Sequence, residues 1–459
     1  MILALKIFLR KASIPTLYFG GIYLLIFTVF KNVSFGLNLL TFIVPQANIY
    51  YKLHTYPYGY MFIDLFILAI SIGILIQQKK SEKTGNEKWI WTLIIFSYFT
   101  TWVASSNFNL PIPLSLSSQL FIDWKNYIRT FFLYFFVLRI AKEPEGRKIL
   151  ILLISVAILI MALKSYRNFS GGSSFSYDKR YGGPFEVAGL GANHFGAFMA
   201  AYSMVFLTIG LIETHKLRKY LFLSAAFFSL HPIFFSYSRG AYLGFVVALF
   251  FIGIMRVRIL LVLILIIGIA WQTILPESVV DRIAMTKTEE GELEGSAAGR
   301  LELWKKAFEL FESNPLLGVG FNGFRESLKD KQSIMSAGHK LTDTHGFFVR
   351  ILCEQGIIGI SIILIIFGKA FFSGLRLYRN SIEPFYIGLG LGFSACVISL
   401  FLSNLFGDRF SYLQSGCYFW VLWGLVDSCN VNSSASSREV AGRNSYMFKF
   451  GVLKKILYP

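Results

Sequence analysis

The chain has 459 residues, of which 55% are hydrophobic and only 15% charged, and its mean hydropathy is +0.57. Apolar runs of about 17–25 residues recur along it, the length that crosses a bilayer, which excludes a soluble domain; their unbroken apolar character excludes a barrel of alternating strands. The net charge of +18 does not point to nucleic acid, because Lys and Arg collect in short loops beside apolar runs, as retention on one membrane face requires.

Lys6, Arg10 and Lys11 place the N-terminus inside, before an uncleaved first span at Pro15–Phe30. Ser34–Val44 is short for a span and reads as an external or re-entrant segment. Further spans follow at 60–76, 89–104, 121–140, 149–163, 190–212, 220–237, 241–255 and 259–275. A large polar loop at 276–344 comes next, and then spans at 346–367, 384–405 and 410–426. The expectation is an all-α polytopic membrane protein of about twelve transmembrane helices with both termini cytoplasmic. It divides into a membrane bundle at 1–275, a loop domain at 276–345, C-terminal membrane helices at 346–427 and a cytoplasmic tail at 428–459.

Every strongly basic short loop falls on one side in this arrangement, which leaves Arg180, Arg239, Arg300, His345 and Arg409 on the opposite, outer side. In the large loop, Lys287–Gly299 is acidic and small-residue rich, a mobile lead-in. Leu301, Trp304, Phe308 and Phe311 then mark the apolar face of an interfacial helix, with Trp304 at head-group depth. Gly318–Gly323 reads GVGFNG, a formal match to GxGxxG. With no strand before it and no βαβ unit around it, it is a flexible turn rather than a dinucleotide site.

The chemistry sits in the outer set. Arg239, in the turn Ser238-Arg239-Gly240, is where retention does not call for a cation, and guanidinium grips phosphate oxygens in pairs. Arg300, placed at a helix start against the dipole, and Arg180, in YDKRYGGPF, are equally readable as solvated residues or substrate contacts. His345 stands where the loop re-enters an apolar run and suits a general base; Asp343 orients it only through a non-helical turn. His194 and Arg409 are supporting candidates for the same cavity. Cys353, Cys396, Cys417 and Cys429 form no CxxC pair, and no cluster has metal-ligand spacing, so neither a metal nor a cofactor is expected.

SYSRGAYLGF, GRLELWKKAFELFESNPLLGVGFNGF and DTHGFFVRILCEQGIIGI together resemble the O-antigen ligase and polymerase superfamily, and KRYGGPFEVAGLGANHFGAFMA resembles its earlier outer motif. The likeness covers Arg180 to Phe367. It implies a metal-independent, GT-C-like glycosyltransferase of the bacterial inner membrane with a periplasmic loop domain. Such an enzyme moves glycan from an undecaprenyl-diphosphate carrier to lipid A-core or to another glycan, among membrane lipids. By position, Arg239 and Arg300 match the family's diphosphate-binding arginines, His345 its proposed base and Arg180 a further basic position. Gly346 departs from the polar residue common after that histidine. A ligase is the reading retained, a repeat-unit polymerase its alternative. A flippase would need charges deep in the spans and paired broken helices.

Overall fold

The computed structural model describes residues 2–169, 175–176, 180–285, 295–329, 335–336, 339–340 and 343–431. The elements used below are α1 (Ile2–Phe30), α2 (Val33–Ile43), α3 (Phe62–Ile76), α4 (Glu87–Asn107), α5 (Gln119–Ile128), α6 (Phe132–Ile140), α7 (Pro144–Asn168), α8 (Ala192–Ile212), α9 (Lys216–Phe235), α10 (Arg239–Met255), α11 (Ile259–Ile269), α12 (Glu277–Ala284), α13 (Gly295–Ser313), α14 (Phe347–Asn380), α15 (Pro384–Leu405) and α16 (413–431). Beyond short helical turns there is one two-residue antiparallel ladder, Met335–Ser336 with His339–Lys340.

Among the described residues, five helices are long and apolar enough to cross a membrane, at Gly59–Ile76, Pro144–Asn168, Ala192–Ile212, Phe347–Asn380 and Pro384–Leu405. Shorter apolar helices accompany them at Ile14–Phe30, Val33–Ile43, Arg239–Met255 and Ile259–Ile269. This is the build of a multi-pass membrane protein. α8 and α15 form its centre. Their close approach is written in Gly388, Gly390 and Gly392: a Cβ on Gly388 would sit 2.6 Å from the Ile209 Cα, and one on Gly392 2.1 Å from the Thr208 Oγ1. Gly390 turns to the other side, where a Cβ would lie 2.5 Å from the Tyr378 nitrogen of α14. Small residues thus let one helix pack closely on two neighbours, and Thr208 Oγ1 donates to the Gly388 carbonyl at 2.8 Å across the seam.

Several expectations change. The span at 121–140 is two helices, α5 and α6, because its first half is amphipathic: Lys125 and Arg129 reach Asp64 of α3 at 2.6 and 3.2 Å. The segment expected at Ser34–Val44 is the helix α2, with Val33, Leu37 and Leu40 buried in the bundle. The span at 259–275 ends as α11 at Ile269, and none of the residues of α11 is buried. α14 runs on to Asn380 rather than ending at 367. α16 continues to residue 431 with Asp427 and Ser428 buried, past the expected start of a tail; 432–459 lie outside the described residues.

The GVGFNG stretch is not a flexible turn. α14 is broken at Gly356, whose φ of 62° is left-handed, and the segment around Leu316–Phe321 is laid into that break. Val319 and Gly320 donate to the Cys353 and Glu354 carbonyls at 3.0 and 2.9 Å, Ile357 donates to Pro315 at 2.9 Å, and Phe321 donates to Thr100 of α4 at 3.0 Å. These bonds answer backbone groups that a broken helix would leave unpaired in an apolar setting. Gly320 has φ 98°, and a Cβ there would lie 2.2 Å from the Ala104 nitrogen. Gly320→Val is therefore expected to lower the detergent-solubilised melting temperature sharply, with a loss of about 3 kcal/mol or more from combined strain and overpacking. An unchanged melting curve would contradict the seam.

Candidate functional site

The segment held by this seam leads from α13 towards the start of α14, and α13 carries Arg300. Arg300 lies inside α13, which begins at Gly295, so the helix-start reading fails. Of the lead-in expected at Lys287–Gly299, residues 287–294 lie outside the described residues and the rest is helix. The buried stripe of α13 is Leu303 and Ala307, while Leu301 and Phe308 point outward at 51% and 43% exposure, so the apolar face is turned from the expected one. The Trp304 indole donates to the Thr344 carbonyl at 2.9 Å, one residue before His345.

His345 occupies a tight non-helical turn with φ 50°. That conformation costs a non-glycine residue of order 1 kcal/mol and is held by its surroundings. Thr344 Oγ1 donates to the Gly346 carbonyl at 3.0 Å and reaches the Asp343 carboxylate at 3.4 Å. Burial lowers the imidazole pKa below its ordinary value, Asp343 opposes this, and Arg300 and Arg409 add to it. Gly346 has a local reason: a Cβ there would come within 3.2 Å of both the Trp304 indole nitrogen and the Leu405 carbonyl. The polar side chain expected from the resemblance has no room without a shift of the indole.

Arg239 is the first residue of α10, and the chain reverses just before it, at Tyr237 with φ 52°. The turn is therefore 236–238 rather than Ser238–Gly240. Arg180 fastens it: its Nε donates to the Ser236 carbonyl at 2.9 Å and its Nη2 to Asn193 Oδ1 at 2.5 Å. Arg282 of α12, which the sequence reading did not select, closes the other side. It is 5% exposed, reaches the Tyr237 carbonyl at 3.4 Å and lies 5.1 Å over the Phe175 ring. The one sequence signal was an arginine on the face of α12 shared with Val279.

These groups sense one another. Arg180 is pushed down to about 10 by burial, with Arg282, Arg300 and Arg239 adding repulsion against an opposing contribution from Tyr242. Arg409 is likewise pushed down to about 10 by burial; Asp408 and Asp343 oppose that, while Arg300 and Arg180 reinforce it. Arg239 faces Arg282 and Arg300. His194, whose Nε2 is 2.8 Å from the Asp408 carbonyl, faces Arg409 and His345. Arg180, Arg239, Arg282, Arg300 and Arg409 thus gather with both histidines around one concentration of positive charge at one end of the bundle. Below it runs an apolar cleft of about 230 Å³, lined among others by Phe234, Tyr242, Phe245, Trp271 and Val279. It opens beside α11. Among the described residues, no three His, Cys, Asp or Glu side chains gather as a metal-ligating group.

A buried ion pair joins the two walls of the site. Arg350, in the first turn of α14, meets Asp408 at 2.8 Å and Ser411 at 2.5 Å. Asp408 Oδ1 in turn accepts from the Phe410 and Ser411 backbone at 3.2 and 3.0 Å. Arg409 is therefore presented by a turn tied to the helix that follows His345. Removing one partner leaves a buried charge uncompensated, so Arg350→Ala is expected to cost about 3–5 kcal/mol in stability. The Arg350→Met, Asp408→Asn double variant should recover much of that loss. A thermal-shift cycle showing no coupling would refute the tie.

Residues 223–364 match a family model described as O-antigen ligase. That stretch contains Arg239, Arg282, Arg300 and His345, and the match agrees with the resemblance to the O-antigen ligase superfamily read from the sequence. No curated protein matches the chain.

Proposed function

From the O-antigen ligase match, we propose that this protein is an inverting, metal-independent glycosyltransferase that moves a glycan from undecaprenyl diphosphate to an acceptor hydroxyl, that of lipid A-core. The observation that carries the proposal is the arginine cluster. Five guanidinium groups from distant parts of the chain meet in a half-buried setting where several repel one another. Like charges brought together out of water are costly unless a polyanion completes the site. A diphosphate supplies that charge.

In the proposed reaction the acceptor hydroxyl gives its proton to His345 as its oxygen bonds to the anomeric carbon. The bond from that carbon to the diphosphate oxygen breaks, and its electron pair leaves with the diphosphate. Arg239 and Arg300 hold the leaving group, with Arg180, Arg282 and Arg409 around it, so the charge grows where fixed cations already stand. Burial favours the neutral form of His345, the form a base needs. The apolar cleft beneath Tyr242 gives the isoprenoid chain a path from the bilayer. In the proposed orientation the bundle is GT-C-like with about twelve crossings, lies in the bacterial inner membrane, keeps both termini in the cytoplasm and turns the cluster to the periplasm.

Arg239→Ala and His345→Asn are each expected to reduce transfer by at least about a hundredfold in reconstituted vesicles, with no loss of folded protein. Asn suits the left-handed turn, so this variant removes the base and spares the backbone. Wild-type transfer by Arg239→Ala would end the diphosphate assignment. The rate should fall as pH drops through the His345 pKa. Asp343 raises that pKa, so Asp343→Asn should move the acid limb to lower pH, and Arg300→Gln, which removes a lowering charge, should move it up. A limb unmoved by both would refute the base. Surface polysaccharide from a deletion strain separates the two transfers: loss of all capped chains marks a ligase, and single-repeat caps mark a polymerase.

A further inference from the structure

The opposite end of the bundle carries a second basic cleft. It has a volume of about 450 Å³ and is lined by Thr84, Asn86 and Lys88 at the start of α4 and by Lys369, Phe372 and Arg376 of α14. Tyr378 of α14 donates to the Met255 carbonyl at 3.1 Å, at the far end of the helix that begins with Arg239. The cleft is therefore separated from the arginine cluster by the length of α10, about 25 Å.

Retention on one membrane face accounts for the sign of these residues but not for their convergence on one cleft. Lys369 stands well inside α14, which continues to Asn380, and Arg376 follows it two turns later on the same face. Lys88, whose ammonium lies 5.8 Å over the Trp89 ring, comes in from α4. None of the three has an ion-pair partner among the described residues. The nearby carboxylates are already engaged. Asp427 Oδ2 accepts from Asn86 at 2.8 Å and from Tyr134 at 2.6 Å, and Glu87 accepts from Thr84 at 2.9 Å. Apolar surface lies beside it: Phe372, in its lining, is 65% exposed, and Trp91 and Ile95, outside the lining but on the face of α4 shared with Lys88, are 46% and 66% exposed. A charged recess that opens onto a greasy strip suits an amphiphile better than a free ion.

We propose that this cleft binds the anionic head group of a membrane glycerophospholipid, with Lys88, Lys369 and Arg376 around its phosphate and the acyl chains along Trp91 and Ile95. The test uses the full chain in detergent and native mass spectrometry with cardiolipin, phosphatidylglycerol and phosphatidylcholine as probes. The two anionic lipids should remain bound where phosphatidylcholine does not. The Lys88→Gln, Lys369→Gln, Arg376→Gln variant should lose affinity by about fivefold per charge, or roughly a hundredfold in all. A control triple, Lys79→Gln, Arg256→Gln, Arg258→Gln, removes equal charge from the same end and should bind as before. Lys369→Arg should also retain binding. Equal loss in both triples would reduce the effect to general surface charge, and unchanged binding in the first would remove the site. Displacement of the lipid by millimolar inorganic phosphate would make it a free-anion site. Each of these three results overturns the proposal.

Discussion

The site depends on a helix that does not run straight. α14 could not complete its own hydrogen bonding across Gly356, and the backbone of 315–321 completes it instead. In an apolar medium an unmet carbonyl or amide has no water to fall back on, so these bonds fix the position of the inserted segment firmly. α13, with Arg300, leads into that segment, and His345 stands just ahead of the helix it joins. The glycines make the fit possible: Gly318, Gly320 and Gly356 have left-handed φ values and backbone neighbours where any side chain would begin.

A second tie accompanies the first. The Arg350–Asp408 pair binds the start of α14 to the turn that presents Arg409, and the Asp408 carbonyl faces His194 from α8. Arg180 holds the turn before Arg239. Arg180 and Arg282 are thus anchored against repulsion through hydrogen bonds to the 236–237 backbone and, for Arg180, to the neutral Asn193. Such an arrangement is costly in the empty state and complementary to a polyanion, which is the electrostatic form of preorganisation. The strained turn at His345 belongs to the same pattern.

The basic residues at the two ends of the bundle differ in setting. Near Arg239 they are buried together; near Lys369 they ring an open cleft. Burial sharpens the field at the first, while the second stands open.

Composition and the spacing of apolar runs determined the helical membrane character, since hydrophobic length and charge placement are local properties of a chain. The order of motifs carried the family likeness, and Arg180, Arg239, Arg300, His345 and Arg409 were readable as one set of candidates. What tertiary structure alone decided is which groups face each other. Arg282 could not be told from a solvated loop arginine until α12 was packed beside Tyr237. The buried face of α13 was misread because Leu301 and Phe308 are as apolar as Leu303, and only the neighbour chosen by packing distinguishes them. The glycine hexad looked like a loose turn because its hydrogen-bond partners, Cys353 and Glu354, lie more than thirty residues away in sequence. Local pattern fixes what a segment is able to bury; which surface it meets depends on contacts that no local window contains.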